Sequence, residues 1–342
     1  MIKFIPRLTA LALVLGCATS AMATEWNVSL WGERRAFTEH VEKLAELVAE
    51  KTDGAFTLNI SYGGLSDSRE NLNGISVGAF EMAQFCAGYH PKKNPTITVL
   101  ELPFLGVTSL EQEIELSLAV YRHPIVRVDM ARWNAVLLMP SPLPQYNIMG
   151  SGIPPTSLED FKGMRVRATG GVGKAIEALG AELVPIPAPG VRDALNDGTV
   201  SAVSFAPHAH MAFGTVESGS WWTSNLNPGS VNCPVVVNSK ALAGLPDDHR
   251  DALLSSVDEA LAHYVAIYDG ETMDAWGPAL EERGIAVLTL RQEILDSIKQ
   301  RVAEPAASAW VEELSARGLP AQELYDIVVD MIEKQNALID GS

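Results

Sequence analysis

The chain has 342 residues, 47% apolar and 20% charged, the balance of an ordinary folded protein long enough for two domains. Its formal net charge of −17 excludes nucleic acid and anionic membrane surfaces as natural partners. A small anionic ligand stays compatible with that charge, because one buried arginine can dominate a local field.

Met1 to Ala23 has the three parts of an export signal: Lys3 and Arg7, the apolar stretch Leu8 to Leu15, and the small-x-small site Ala21-Met22-Ala23. The apolar stretch is too short for a permanent anchor. Cleavage before Cys17, as in a lipoprotein, is the weaker alternative because bulky Leu15 flanks that cut. About 319 residues follow Ala23, and none of their segments is apolar enough to cross a bilayer, so a periplasmic, soluble mature chain is expected. It keeps two cysteines, Cys86 and Cys233. An oxidising compartment permits a disulfide, but the spacing does not demand one, and two separate buried thiols is the reading adopted.

Trp26 to Trp31 reads as a strand, followed by Glu33-Arg34-Arg35 and a helix with Phe37, Val41, Leu44 and Val48 on one face. Gly54 ends it, and Phe56 to Tyr62 alternates as a strand. A short helix over Asn71 to Val77 and a strand over Phe80 to Phe85 continue the alternation, which predicts an α/β fold with largely parallel sheets. Proline-rich Pro140 to Pro155 reads as an interdomain connection, with Tyr146 to Met149 as a candidate crossing strand. The pattern then restarts: strand Met164 to Ala168, helix from Gly173 to Leu179, strand Leu183 to Pro187, helix Val191 to Leu195 and strand Val200 to Phe205. Asp247 to about Glu282 is a long helical pattern interrupted at Pro278, and Gln292 to Ile339 is largely helical.

Three apparent motifs fall away. Gly170-Gly171-Val172-Gly173-Lys174 lacks the first glycine and the Ser or Thr of a phosphate loop, since Ala168 and Ala175 stand there. It reads instead as a tight turn, or as a helix N-terminus whose N–H groups approach a ligand. His208 and His210 lack a third metal ligand and read as loop histidines, so no metal and no cofactor is expected. Trp221-Trp222 reads as packing. No GxSxG elbow anchors hydrolase chemistry, and the chain is read as a non-enzyme.

Ser157 to Arg167 (SLEDFKGMRVR) resembles a segment of the periplasmic substrate-binding subunits of tripartite ATP-independent periplasmic (TRAP) transporters, the DctP-type family. Leu179-Gly180-Ala181, Pro185 to Pro187, Ala194-Leu195 and Gly198 follow in the family's order, and Glu101-Leu102-Pro103-Phe104-Leu105 is similar to its Leu-Pro-Phe loop. The resemblance covers essentially the whole mature chain. It implies a type II-like periplasmic binding protein: two α/β domains, a hinge and a long helix spanning both. Domain I would hold residues 24–146 and about 233–275, and domain II residues 147–232 and about 276–342.

The resemblance also implies that Arg167 holds a ligand carboxylate. A guanidinium offers paired N–H donors in carboxylate geometry. Arg165 shares its strand face by alternation, but it is Arg167 that leads into the glycine turn. Trp31 to Glu33, Tyr89, Asn147, Phe205 and Asn232 fall at the family's other ligand-facing positions, where packing is an equal alternative. Many members carry Asp-Gly-x-Glu where this chain has Ser201-Ala202-Val203-Ser204, and a second Arg where it has Asn147. Those departures favour a monocarboxylate with an apolar or aromatic body over a sugar acid. The implied role is capture of a small organic acid by hinge closure, as a monomer, and delivery to membrane permease subunits. An exported enzyme acting on a carboxylate, or the ligand-binding subunit of a sensor, are the rival readings.

Overall fold

The computed structural model describes residues 23–340. Residues 1–22, which carry the expected export signal and Cys17, lie outside the described residues. The strands in chain order are β1 (Thr24–Leu30), β2 (Phe56–Tyr62), β3 (Met82–Gln84), β4 (Ala135–Met139), β5 (Asn147–Gly150), β6 (Arg165–Arg167), β7 (Glu182–Leu183), β8 (Ala202–Phe205), β9 (Trp221–Thr223), β10 (Val235–Asn238) and β11 (Ala286–Leu288). They form two sheets, β2-β1-β3-β10-β4 and β11-β9-β5-β8-β6-β7, each the centre of one lobe.

Alternation along β1 turns Trp26, Val28 and Leu30 into the first lobe's core. There they meet the apolar stripe Val41, Leu44 and Val48 of helix Glu39–Lys51. β1 runs parallel to β2 and β3, as its βα connections require. β10, however, is antiparallel to β3 and β4, and β5 is antiparallel to β8 and β9, so the sheets are mixed rather than largely parallel. The reason is topological. Strands β1, β3, β6 and β8 run toward the cleft between the lobes. β5 and β10 follow directly on a crossing from the other lobe, over residues 140–146 and 224–234, and therefore run away from it.

The expected strand Leu183 to Pro187 shrinks to β7, because Pro185 and Pro187 have no N–H to give to a ladder. The long helical pattern is a run of Asp247–Ser255, Val257–Ile267, a π-turn at Tyr268–Thr272 and Met273–Glu282 with Pro278 inside. Its Leu253, Val257 and Leu261 pack in the first lobe, and Trp276 and Leu280 pack on Met149 in the second, so the run spans both. Helix Gln292–Ala316 starts on the second lobe through Ile298 and Val302. It ends on the first through Trp310 and Leu314, where helix Ala321–Asp340 also docks by Leu324 and Val328. The tail thus differs from the expected division, which gave it wholly to the second domain. An apolar stripe announces a helix, but not which lobe offers the matching face.

Cys86 and Cys233 form a disulfide, which corrects the expectation of separate thiols. The antiparallel register of β3 and β10 pairs Gln84 with Val235. Extending it by two residues sets the cysteines opposite each other, a neighbourhood that their separation of 147 residues conceals.

Candidate functional site

The crossings and the cleft-facing strand ends enclose a cavity lined by aromatic rings and two arginines. Arg167 ends β6 and is 2% exposed, whereas Arg165, two residues earlier, points to solvent and bonds the Gly198 carbonyl. Arg167 Nε donates to the Ile186 carbonyl at 2.8 Å and Nη1 to the Ser204 carbonyl at 3.3 Å. Its guanidinium carbon lies 4.4 Å from the ring centroid of Phe205, the last residue of β8. Burial pulls its pKa below the usual arginine value, and the Tyr89 and Tyr146 hydroxyls act against that.

The second arginine, Arg35, was not among the residues singled out. Gly32, at φ +74°, turns the chain after β1. Arg35 then folds back, Nη1 donating to the carbonyls of Trp31 at 2.8 Å and Glu33 at 2.7 Å. Its guanidinium sits 5.3 to 5.8 Å from the rings of Phe213, Phe37 and Trp31. Burial lowers its pKa to about 10, opposed first by Tyr89. Arg35 Nε has no hydrogen-bond partner. Neither Arg35 nor Arg167 has a carboxylate partner among the described residues. Each buried unpaired cation costs several kcal/mol, so a cavity holding two is complementary to an anion.

Of the residues singled out in the sequence, Trp31, Tyr89, Arg167 and Phe205 line the cavity together. Glu33 does not: its side chain is exposed, and only its carbonyl serves the site, by holding Arg35. Asn147 lies behind the wall, with Oδ1 accepting from the Leu226 amide at 2.9 Å and Nδ2 donating to Asn227 at 2.8 Å, which ties one crossing to the other. Asn232 is likewise buried behind the wall, Nδ2 donating to the Tyr121 hydroxyl at 2.9 Å. The resemblance put both at ligand-facing positions with packing as an equal alternative, and in this chain their amides satisfy crossing backbone and a core tyrosine.

His208 also lines the cavity, on helix Pro207–Ala212 rather than in a loop. It stacks on Phe37 at 5.5 Å and shares a 2.8 Å hydrogen bond with the Tyr268 hydroxyl at the π-turn of the spanning helix. Burial holds its pKa well below the usual histidine value, so it is neutral. His210 is buried beside Thr215 at 2.8 Å. The described residues contain no cluster of three or more His, Cys, Asp or Glu placed to hold a metal ion. Trp221 is buried in the core, and Trp222 packs on Trp276 at 5.2 Å.

The cavity encloses about 30 Å³. That is room for a water molecule or two, against about 150 Å³ for a cavity that takes benzene. An organic acid therefore enters only if the lobes part and the walls re-seat. At the rim, Arg69 of the first lobe donates to the Pro185 carbonyl of the second at 2.8 Å, and Tyr89 Oη accepts from the Ala188 amide at 3.3 Å. Such contacts break and reform when two lobes move as rigid bodies.

A two-lobed α/β architecture with an arginine-bearing cavity at its crossings agrees with comparison to known proteins. Residues 28–313 match the family described as bacterial extracellular solute-binding protein, family 7 (DctP). The chain belongs to this family. The outer membrane transporter protein TsaT of Comamonas testosteroni is 24% identical over 291 residues, covering 84% of each chain. Among solved structures, a marine metagenome TRAP solute-binding protein specific for aromatic acid ligands, in complex with metahydroxyphenylacetate, superposes with a TM-score of 0.82 at 21% identity. That match covers 91% of this chain and 99% of the other. A TRAP solute-binding protein of Rhodoferax ferrireducens in complex with benzoate gives 0.83 at 17% identity, covering 93% and 100%. The family and these neighbours are solute-binding proteins, not enzymes. No helix among the described residues is long and apolar enough to cross a membrane.

Proposed function

We propose that this family 7 solute-binding protein captures a small monocarboxylate with an aromatic or apolar body in the periplasm, as a monomer, and delivers it to the membrane permease subunits of a TRAP transporter. The observation that carries the reading is the pair of buried guanidiniums, Arg35 and Arg167, without acid partners in one cavity walled by Trp31, Phe37, Tyr89, Tyr146, Phe205 and Phe213. The aromatic walls give a ring a flat, apolar surface. Arg167 supplies the paired donors a carboxylate needs. The family membership and the aromatic acids bound by the two structural neighbours support the same class. Ligand contacts made from both lobes favour the closed arrangement, and closure is the form offered to the permease. Export by the N-terminal signal, with cleavage after Ala23, places the protein where such a solute arrives.

The test is a thermal-shift panel with benzoate, 3-hydroxyphenylacetate, succinate and the uncharged benzamide. A ligand that binds only the folded protein raises the melting temperature with concentration. Shifts with the two aromatic acids and none with benzamide are expected. A shift with succinate alone, or one with benzamide equal to that with benzoate, would sink the reading.

A further inference from the structure

Glu101 is a carboxylate that the cavity does not use. It is 2% exposed and ends the 3-10 helix Pro95–Glu101 of the first lobe. Oε1 accepts from the Gly88 amide at 3.0 Å and from the Asn232 amide at 2.9 Å. Gly88 lies just after β3, and Asn232 lies in the second crossing. The N-terminus of helix Gly170–Ala178 in the second lobe packs directly against this carboxylate. One side chain thus binds an amide of the first lobe and one of the crossing while it touches the helix start of the second lobe.

The glycines make the approach possible. A Cβ on Gly170 would stand 2.2 Å from Glu101 Oε2, and one on Gly171 would stand 1.5 Å from the Glu101 carbonyl oxygen. A Cβ on Gly88 would stand 2.9 Å from the Gly170 backbone. The helix N-terminus that looked ready for a ligand is therefore met by the chain's own acid, a favourable place for negative charge. Burial pushes Glu101 up to about 7, and the amides of Asn232, Gly88 and Gly171, with Lys174, oppose that. Arg167 stands three residues before Gly170, so whatever fixes the turn fixes the origin of Arg167.

We propose that Glu101 is a positioning residue for ligand capture: by holding the Gly170–Gly171 turn of the second lobe against the Gly88 and Asn232 amides, it sets where Arg167 stands against the opposite wall of the cavity. The proposal rests on the reading of Arg167 as the carboxylate-binding residue. Glu101→Gln separates the two arms of the contact. Its carbonyl oxygen still serves Gly88 and Asn232, while its NH2 group takes the negative charge away from the N-terminus of helix Gly170–Ala178 and sets a donor there in its place. Glu113 supplies the control, being as buried, near the same crossing through Ser230 at 3.4 Å, and engaged by a hydroxyl rather than by the second-lobe turn.

The experiment has two arms, both at pH 8, above the value of about 7 to which burial pushes Glu101. Benzoate affinity is measured for wild type, Glu101→Gln, Glu113→Gln, Arg167→Ala and the Glu101→Gln/Arg167→Ala double variant. We expect Glu101→Gln to lose at least about tenfold, Glu113→Gln less than about twofold, and the double variant no more than Arg167→Ala alone, the signature of one residue acting through another. Hydrogen exchange without ligand forms the second arm. Peptides spanning 168–174 should exchange faster in Glu101→Gln, and those of helix Leu110–Arg122 should not. If Glu101→Gln fails to fold, Gly171→Ala drives the same turn away from the other side and should show the same loss. Unchanged affinity in Glu101→Gln, or equal losses with and without Arg167, overturns the proposal. If wild type does not bind benzoate, the aromatic-acid reading fails, and the exchange arm still decides whether Glu101 holds the turn.

Discussion

The Arg167 guanidinium lies face-on to Phe205, 4.4 Å from its ring centroid. Both side chains are at the cleft ends of neighbouring parallel strands, β6 and β8. The contact keeps a buried cation on a π-surface in place of water. Replacing Phe205 with leucine removes that face while keeping an apolar wall. Benzoate affinity should fall by about 0.5–2 kcal/mol, the span of a cation–π contact, with the fold intact by circular dichroism. Unchanged affinity would mean the ring only fills space.

Arg35 shares the cavity with Arg167 but is anchored differently, by carbonyls of its own turn. Arg35→Ala should weaken benzoate binding at least tenfold in calorimetry, with some loss of stability because the Trp31 and Glu33 carbonyls lose a donor. Arg165→Ala should change affinity less than about twofold, because that side chain reaches solvent. Equal effects at positions 35 and 165 would show that a single guanidinium carries the site.

The Cys86–Cys233 bond joins β3 to the start of β10 and forms part of the cavity wall. A nonreducing digest should yield the two cysteine peptides as one linked species. Cys86→Ser with Cys233→Ser should lower stability by roughly 2–5 kcal/mol, the usual cost of losing a native bridge. Free thiols in the untreated exported protein would contradict the pairing.

Stability should be highest between about pH 4.5 and 6.5. Burial holds His40 and His210 down at about 3. These groups take up protons in the unfolded chain near 6.5. Their contribution is therefore complete above about pH 6.5 and is lost as pH falls toward 3. Burial raises Glu101 to about 7 and Glu113 to about 8, so the folded state holds their protons more firmly than the unfolded one. That contribution is complete below about pH 4.5 and is lost as pH rises through 7 to 8. Glu113→Gln should flatten the alkaline limb of a plot of melting temperature against pH. An alkaline limb identical to wild type would show that Glu113 does not titrate there.

The elements that the sequence made legible are those with local causes. Periodicity over Phe56 to Tyr62 and Asn71 to Val77 matches β2 and the helix Asn71–Val77 residue for residue. Arg167 came from a resemblance, and Trp31, Tyr89 and Phe205 join it at strand ends that face the cleft. What stayed hidden depends on contacts distant in sequence. The disulfide needs the β3–β10 register, and Arg35 looks like its neighbour Arg34 until the Gly32 turn folds it inward while Arg34 pairs with Glu39 at the surface. Asn147 and Asn232 show the converse: a resemblance places a residue near a site but does not say which way its side chain points.

Lobe closure is open to solution scattering. The radius of gyration should fall when benzoate saturates the protein, as the rim contacts Arg69 to Pro185 and Tyr89 to Ala188 become populated. An unchanged curve at saturation would argue for a rigid site.

The most direct test of the central claim is calorimetric titration of benzoate into wild type, Arg167→Ala and Arg167→Lys. A carboxylate held by a buried guanidinium predicts a loss of roughly 2–5 kcal/mol for alanine. It predicts only partial recovery for lysine, which cannot form two parallel N–H···O bonds. Wild-type affinity in Arg167→Ala, in a protein that is folded by circular dichroism, would contradict the account.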